Sequence, residues 1–204
     1  MPGGPDREVF MRKCYETFYR LITDRMETES RYVTVTGSHG VGKSVFMQYF
    51  CQRFRNENPT VTIICVAFDD CSRVQESRVI YPASLPQLMN PTVPIIAGNV
   101  LYVYDGPPPH EPAAQKMIVF CGPYQDWLCR AEASEKHTLL YFPPWVLDEL
   151  LATGHALSLK LSSHEIERRF NVFGGSARDC LCHSDEFVER ARIILGGPSR
   201  TSRP

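Results

Sequence analysis

Residues 37–44 read Gly37-Ser-His-Gly-Val-Gly-Lys-Ser44, which fills every required position of the pattern G-x-x-x-x-G-K-[ST]. Each residue type in that pattern has a chemical reason. Glycines let the backbone curl until successive N–H groups aim at one anion. A helix that opens directly after the loop presents its positive end to the same point. A lysine at position 43 reaches β- and γ-phosphates, and a serine hydroxyl at position 44 ligates Mg²⁺. The octet therefore predicts a site for a nucleoside triphosphate, ATP with magnesium. Its residues are Gly37, Ser38, His39, Gly40, Val41, Gly42, Lys43, Ser44 and Val45. His39 has two readings, a hydrogen-bond donor to phosphate or a side chain pointing outward.

A loop of this kind needs an acidic residue opposite it to hold the metal, and the usual source is an aspartate ending a buried strand. Val100-Leu-Tyr-Val-Tyr-Asp105 supplies one, so Asp105 is the expected magnesium partner of Ser44. Many ATPases carry a glutamate directly after that aspartate to polarise the attacking water, but here the position is Gly106. Asp69, Asp70 and Glu111 are the other acidic candidates, and each also reads as a solvated loop carboxylate. Hydrolysis is thus left without an identified base.

The elements that must position these groups follow from periodicity. Val9, Phe10, Cys14, Phe18, Leu21 and Ile22 recur at helical spacing and predict a first amphipathic helix. Residues 31–36 are rich in β-branched types and predict a strand, and residues 43–54 predict the helix after the loop, stopped by Asn56-Glu-Asn-Pro59. Continuous apolar runs at 61–68 and 99–104 read as strands buried on both faces of a parallel sheet. Residues 71–94 read as irregular, with a short strand at 79–81. Strands at 117–121 and 138–142 flank a short helix. Strands alternating with helices argue for an α/β layered sheet. After Pro144 the pattern turns helical. Residues 145–151, a segment opened by Ser162-Ser-His-Glu165 and running to Phe170, and residues 185–195 are the expected helices, with Gly174-Gly175 ending the second. The expected organisation is a nucleotide-binding core with an N-terminal helix at 1–143, a small helical lid at 144–197 and a tail at 198–204.

Composition excludes several function classes. At 204 residues with 43% apolar content the chain can bury a core for one domain plus a small appendage. A formal net charge of −1 gives no global positive field for nucleic acid or anionic membranes. The eight cysteines are scattered, three of them (Cys51, Cys65 and Cys121) inside apolar runs, where a reduced thiol acts as a small hydrophobe. Cys180, Cys182 and His183 lack the second ligand pair a zinc site would need. The N-terminus has no apolar segment of signal-peptide type and no stretch has transmembrane length, so a soluble protein in a reducing compartment is expected.

Several segments together resemble the P-loop ATPase domain of the Crinkler effectors of oomycetes and chytrid fungi, which is similar in turn to the retrotransposon hot spot proteins of trypanosomes. They are Val9-Phe-Met-Arg-Lys-Cys-Tyr15, Thr36-Gly-Ser-His-Gly-Val-Gly-Lys-Ser-Val-Phe46, Val103-Tyr-Asp-Gly106 and Val119-Phe-Cys-Gly-Pro123. Phe142-Pro-Pro-Trp-Val-Leu-Asp-Glu-Leu150 and Arg169-Phe-Asn-Val-Phe-Gly-Gly-Ser-Ala-Arg178 complete the set, which spans most of the chain. The proline–tryptophan segment and the Gly-Gly-x-x-Arg ending are more specific than the phosphate loop. The resemblance implies an AAA+-like P-loop NTPase core, a three-layer sandwich with a mainly parallel sheet and a small C-terminal helical lid. It implies that Arg178 is the lid arginine that reaches the nucleotide phosphates, giving Lys43, Asp105 and Arg178 as the catalytic set. Cys121-Gly122 would stand where a polar γ-phosphate sensor is common, and His39 where a proline is expected. Delivery into a host cell and its nucleus is implied by the resemblance alone. Full-length Crinklers flank this domain with a translocation module and a nuclease-like domain, so the chain is expected to be a lone ATPase domain, a truncated copy or a fragment.

Three functions compete on this sequence. The first is an ATP-driven switch that relays its state to a protein partner or by self-association. The second is a nucleotide-dependent interaction module without turnover, consistent with Gly106. The third is a small nucleoside or metabolite kinase, for which only Arg168, Arg169 and Arg178 cluster as lid arginines.

Overall fold

The computed structural model describes residues 10–28, 31–69, 72–80, 99–112 and 115–182. The expected helix at 185–195, the tail, Asp70 and, of the proline-punctuated stretch at 71–94, all but residues 72–80 lie outside the described residues. The chain divides into two compact units, one formed by Lys13–Gly37 and Lys43–Phe142. The described parts of the other are residues 10–12, 38–42 and 143–182.

The larger unit is an α/β fold. Its elements are α1 (Cys14–Thr28), β1 (Tyr32–Thr36), α2 (Lys43–Glu57), β2 (Thr62–Phe68), β3 (Val74–Ile80), β4 (Val100–Asp105), β5 (Lys116–Phe120), α3 (Gln125–Glu132) and β6 (His137–Tyr141). The six strands form one sheet in the order β3-β2-β4-β5-β1-β6, parallel throughout except for β3, which pairs antiparallel with β2 at the edge.

Every residue of β1 is buried because both faces of the strand are covered. On one face Val33, Val35, Ile118 and Phe120 meet the aromatics of α2. Phe46 lies 5.9 Å and Phe50 6.5 Å from the Phe120 ring. α1 packs behind them through Tyr15, 5.1 Å from Phe46, and Tyr19, 5.2 Å from Phe50. On the other face Tyr32, Tyr104, Met117, Val119 and Cys121 close around Trp127 of α3. The connection from β1 to β2 passes β5 and β4, whereas that from β5 to β6 passes β1 in the opposite direction. Right-handed crossovers then place α2 and α3 on opposite faces. Adjacent strands whose connections leave in opposite directions open a crevice at their carboxyl ends, the usual ligand position in open α/β sheets. In this sheet those strands are β1 and β5.

Three expectations need correcting here. The stretch read as irregular, with a short strand at 79–81, holds a seven-residue strand, β3. β3 is almost wholly exposed and reads Val74-Gln-Glu-Ser-Arg-Val-Ile80, so no burial-driven alternation marks it. The second correction is the start of α1. The apolar spacing beginning at Val9 predicts a helix there, but α1 starts at Cys14, and Phe10 and Arg12 belong to the other unit. The third is helix α2, which runs to Glu57, beyond residue 54. Asn58 ends it by donating from both its backbone N–H and its side-chain amide to the Phe54 carbonyl.

The smaller unit carries α4 (Leu147–Ala156), α5 (Ser163–Phe173) and α6 (Ala177–Leu181). α5 begins where a capping residue was expected: the Ser162 hydroxyl accepts the Glu165 N–H. It ends at Gly174. The helix expected at 145–151 starts at Leu147 instead, so Trp145 lies in the extended segment before it. Helix α6 was not expected. It is one turn long, capped by the Ser176 hydroxyl, which accepts the Asp179 N–H. Among the described residues no helix is long and apolar enough to cross a membrane.

Candidate functional site

In the larger unit, β1 delivers Gly37 and α2 begins at Lys43, so both ends of the glycine-rich segment are fixed by regular elements. The Lys43 Nζ donates to the Gly37 carbonyl at 2.7 Å, folding the side chain back across the turn. Ser44 follows, its hydroxyl exposed and donating to Asp105 Oδ1 at 3.1 Å. Val45 is 38% exposed on α2.

Asp105 ends β4, and Gly122 follows the end of β5. The Thr36 hydroxyl at the end of β1 donates to the Gly122 carbonyl at 3.1 Å, holding the β1 and β5 ends together. Burial raises the Asp105 carboxyl above its ordinary value, opposed by the Ser44 hydroxyl and by the Lys43 charge. A carboxylate raised by burial and held by one hydroxyl and one lysine is the kind of perturbed group that marks a candidate site. Ser44 and Asp105 supply one neutral and one anionic oxygen. That donor set suits Mg²⁺, which takes one or two protein carboxylates and fills its octahedron with phosphate and water. Among the described residues no cluster of three or more acidic, histidine or cysteine side chains offers an all-protein metal cage.

The acidic base candidates are not equivalent. Asp69 accepts from the Arg73 backbone N–H at 2.8 Å, from Arg73 Nε at 2.9 Å and from Gln75 at 3.2 Å, and so closes the β2–β3 turn. Glu111 is exposed. Gly106 has φ +105°, and a Cβ there would lie 3.0 Å from the Phe68 carbonyl oxygen. This backbone therefore resists the glutamate that many ATPases carry after the aspartate. Cys121 is buried, and burial pushes its thiol up to about 11, so it is a neutral apolar neighbour of the sheet end.

The middle of the glycine-rich segment, Ser38–Gly42, belongs to the smaller unit. Its carbonyls are held there. The Gly40 carbonyl accepts the Arg178 N–H at 3.2 Å, and the Val41 carbonyl accepts the Trp145 Nε1–H at 2.9 Å. Gly40 has φ +74°, and a Cβ on it would meet the Ser176 hydroxyl at 2.2 Å and the Arg178 Cβ at 3.1 Å. Only glycine satisfies both the turn and this approach. Arg178 thus sits at the loop through its backbone, with an exposed side chain. Ser38 and His39 are exposed and Val41 is buried.

The other two clustered arginines are engaged elsewhere. Arg168 and Arg169 both pair with Glu165 at 2.9 and 2.8 Å, and Arg169 is fully buried. Residue-type reasoning also passed over Arg12 and Glu149. Arg12 is a buried cation hydrogen-bonded to Glu149 and to the carbonyls of Pro143 and Pro144. Its signal in the sequence was weak, one arginine inside the segment read as the first helix. Trp145 of the proline–tryptophan segment is buried and donates to the loop.

No protein-family model matches the chain, and no curated protein matches it.

Proposed function

We propose that this chain is a P-loop NTPase domain of AAA+-like type that binds ATP with magnesium and uses the nucleotide state as a switch. The observation that carries the reading is the Ser44–Asp105 contact. A G-x-x-x-x-G-K-S octet leaves β1 and opens α2, and its last hydroxyl bonds to the one carboxylate that ends β4, two strands away in the sheet. The crevice at the β1 and β5 ends supports the same position.

In this reading Lys43 leaves the Gly37 carbonyl for the β- and γ-phosphates, and the N–H groups of the loop and of the first turn of α2 bind the phosphate oxygens. Ser44 and Asp105 would hold Mg²⁺, whose charge neutralises the triphosphate as negative charge shifts to the leaving oxygen. Arg178 senses the γ-phosphate. The segment at 144–197 is the lid, and a protein partner or a second copy reads its state, in line with a Crinkler-like role.

One observation favours a second reading, binding with little turnover. The Gly106 backbone leaves no room for the adjacent glutamate and Asp69 is engaged, so the described residues offer no placed base. The kinase reading loses support because Arg168 and Arg169 are occupied by Glu165. Titration with ATP, GTP and ADP, with and without magnesium, paired with phosphate release on the same sample, separates these. Binding with slow release fits the switch, and binding without release fits the module. Transfer to a small acceptor would indicate a kinase, and no binding would contradict all three.

A further inference from the structure

We propose that Arg12 and the Trp145 indole N–H are positioning residues for the phosphate loop, fixing the Val41 carbonyl and through it the direction of the loop's N–H groups. This inference rests on the phosphate-loop reading above. Neither residue is part of the glycine-rich motif.

The Arg12 side chain is 2% exposed. Its Nε and Nη2 donate to the two Glu149 oxygens at 3.3 and 2.8 Å. Nη1 donates to the Pro143 carbonyl at 3.0 Å and Nη2 to the Pro144 carbonyl at 2.9 Å. Nη1 also reaches the Val41 carbonyl at 3.5 Å, and the guanidinium lies 4.5 Å over the Trp145 ring. Burying a guanidinium is unfavourable unless its fork of donors is met, and an apolar residue of similar size would often stabilise as well. A buried charge satisfied this fully is therefore better explained by geometry than by stability.

The geometry in question is that of the loop. Trp145 Nε1 donates to the Val41 carbonyl at 2.9 Å, and Trp145 is itself held by its N–H, which donates to the Gly175 carbonyl at 3.0 Å. Across a planar trans peptide the carbonyl and the following N–H point in opposite directions. With the Val41 carbonyl taken by Trp145 and Arg12, the Gly42 N–H is turned away from them. With the Gly40 carbonyl taken by the Arg178 N–H, the Val41 N–H is turned likewise. Two successive N–H groups each turned away from the partners of the carbonyls before them are what a phosphate cradle can use. The arginine, the proline–tryptophan segment and the Gly-Gly-x-x-Arg segment thus share one task, holding loop carbonyls outward.

Trp145→Phe tests this most directly, since it keeps an aromatic ring beside Arg12 and deletes the donor together with part of the indole's volume, which the apo melting curve reports separately. Arg12→Lys keeps the charge but loses the fork. Val146→Ala, at a neighbouring 58% exposed residue, is the control. Calorimetric titration of each full chain with ATP and with ADP, alongside apo melting curves, gives the readout. The expected result for Trp145→Phe is a loss of about fivefold in affinity for both nucleotides, the effect of one net hydrogen bond. Turnover at saturating ATP stays within about twofold, since the change falls on binding. Arg12→Lys loses at least as much affinity, and Val146→Ala is unchanged. Unchanged affinity in a folded Trp145→Phe protein overturns the inference, as does a loss for ATP alone, because both nucleotides share the loop contacts. Should Trp145→Phe fail to fold, Arg12→Lys decides by the same criteria. Wild-type protein that binds neither nucleotide contradicts the phosphate-loop reading itself.

Discussion

Burial raises the Asp105 carboxyl above its ordinary value, and that shift has a measurable sign. Its carboxyl binds a proton more tightly in the folded chain than in the unfolded one. Ionisation at neutral pH therefore works against folding, and this penalty grows as pH rises through the carboxylate range. Asp105→Asn should raise the melting temperature of the apo protein while lowering ATP affinity in magnesium by roughly tenfold or more, the loss of one charge-assisted contact. Affinity in EDTA should not change. A lower apo melting temperature would contradict the burial penalty, and equal magnesium dependence in mutant and wild type would remove Asp105 from the proposed metal site. Arg178 makes the complementary case. Its backbone is tied to Gly40 and its guanidinium is exposed. Arg178→Ala should leave binding largely intact, lower phosphate release and narrow the gap between ATP and ADP affinities, since a cation at the γ-phosphate acts mainly as the bond breaks. Turnover and nucleotide preference both matching wild type would make it a surface residue.

Among the elements, those that carry the site were readable because their burial forces a pattern. β1, β4 and β5 show as apolar runs, and α2 shows by its Phe46, Phe50 and Phe54 face. β3 left no such trace. It is held by its ladder to β2 and by the Asp69–Arg73 turn, so its side chains face solvent and were free to be polar. Trp145 shows a limit of a related kind. Composition and spacing mark it as buried, but they do not reveal that its ring precedes a helix and donates to a loop a hundred residues earlier. β6 carries a prediction of its own. His137 shares a 2.7 Å hydrogen bond with the Thr34 hydroxyl, which also accepts from Trp127 Nε1 at 3.0 Å. Its Nδ1 is buried without a partner among the described residues, and burial pushes the imidazole down to about 4. The unfolded chain takes up this proton near pH 6.5 and the folded chain only near 4, so stability falls as pH drops through that window. After allowance for partial solvent access the loss is about 1–2 kcal/mol. Urea midpoints at pH 7 and pH 5 should show it, and His137→Gln should flatten the difference. An equal slope in that variant would assign the acid sensitivity to other groups.

At the scale of the whole molecule, the sequence spelled out a glycine-rich octet between a strand and a helix and a mainly parallel α/β sheet, but not how the chain is shared between its units. Arg12 and residues 38–42 join the C-terminal helices because long-range hydrogen bonds, Arg12 to Glu149 and Trp145 to Val41, bind them there. No local propensity encodes such pairings. A ligand that binds only the folded chain stabilises it by mass action, by about 2.7 kcal/mol at a hundredfold excess over Kd. For a protein of this size that is a rise of roughly 5–10 °C in melting temperature. The rise should appear with Mg-ATP and shrink with adenosine, which has no phosphates. The most direct test of the central claim is calorimetric titration of Mg-ATP into wild type and Lys43→Ala. Lys43 is half-buried and its Nζ donates to the Gly37 carbonyl at the turn, away from the apolar core, so the variant should melt within a few degrees of wild type. The account predicts saturable one-site binding to wild type and a loss of at least about tenfold in the variant, the share of a charge-assisted phosphate contact. Equal affinity in the two proteins, or no heat of binding to wild type, would contradict it.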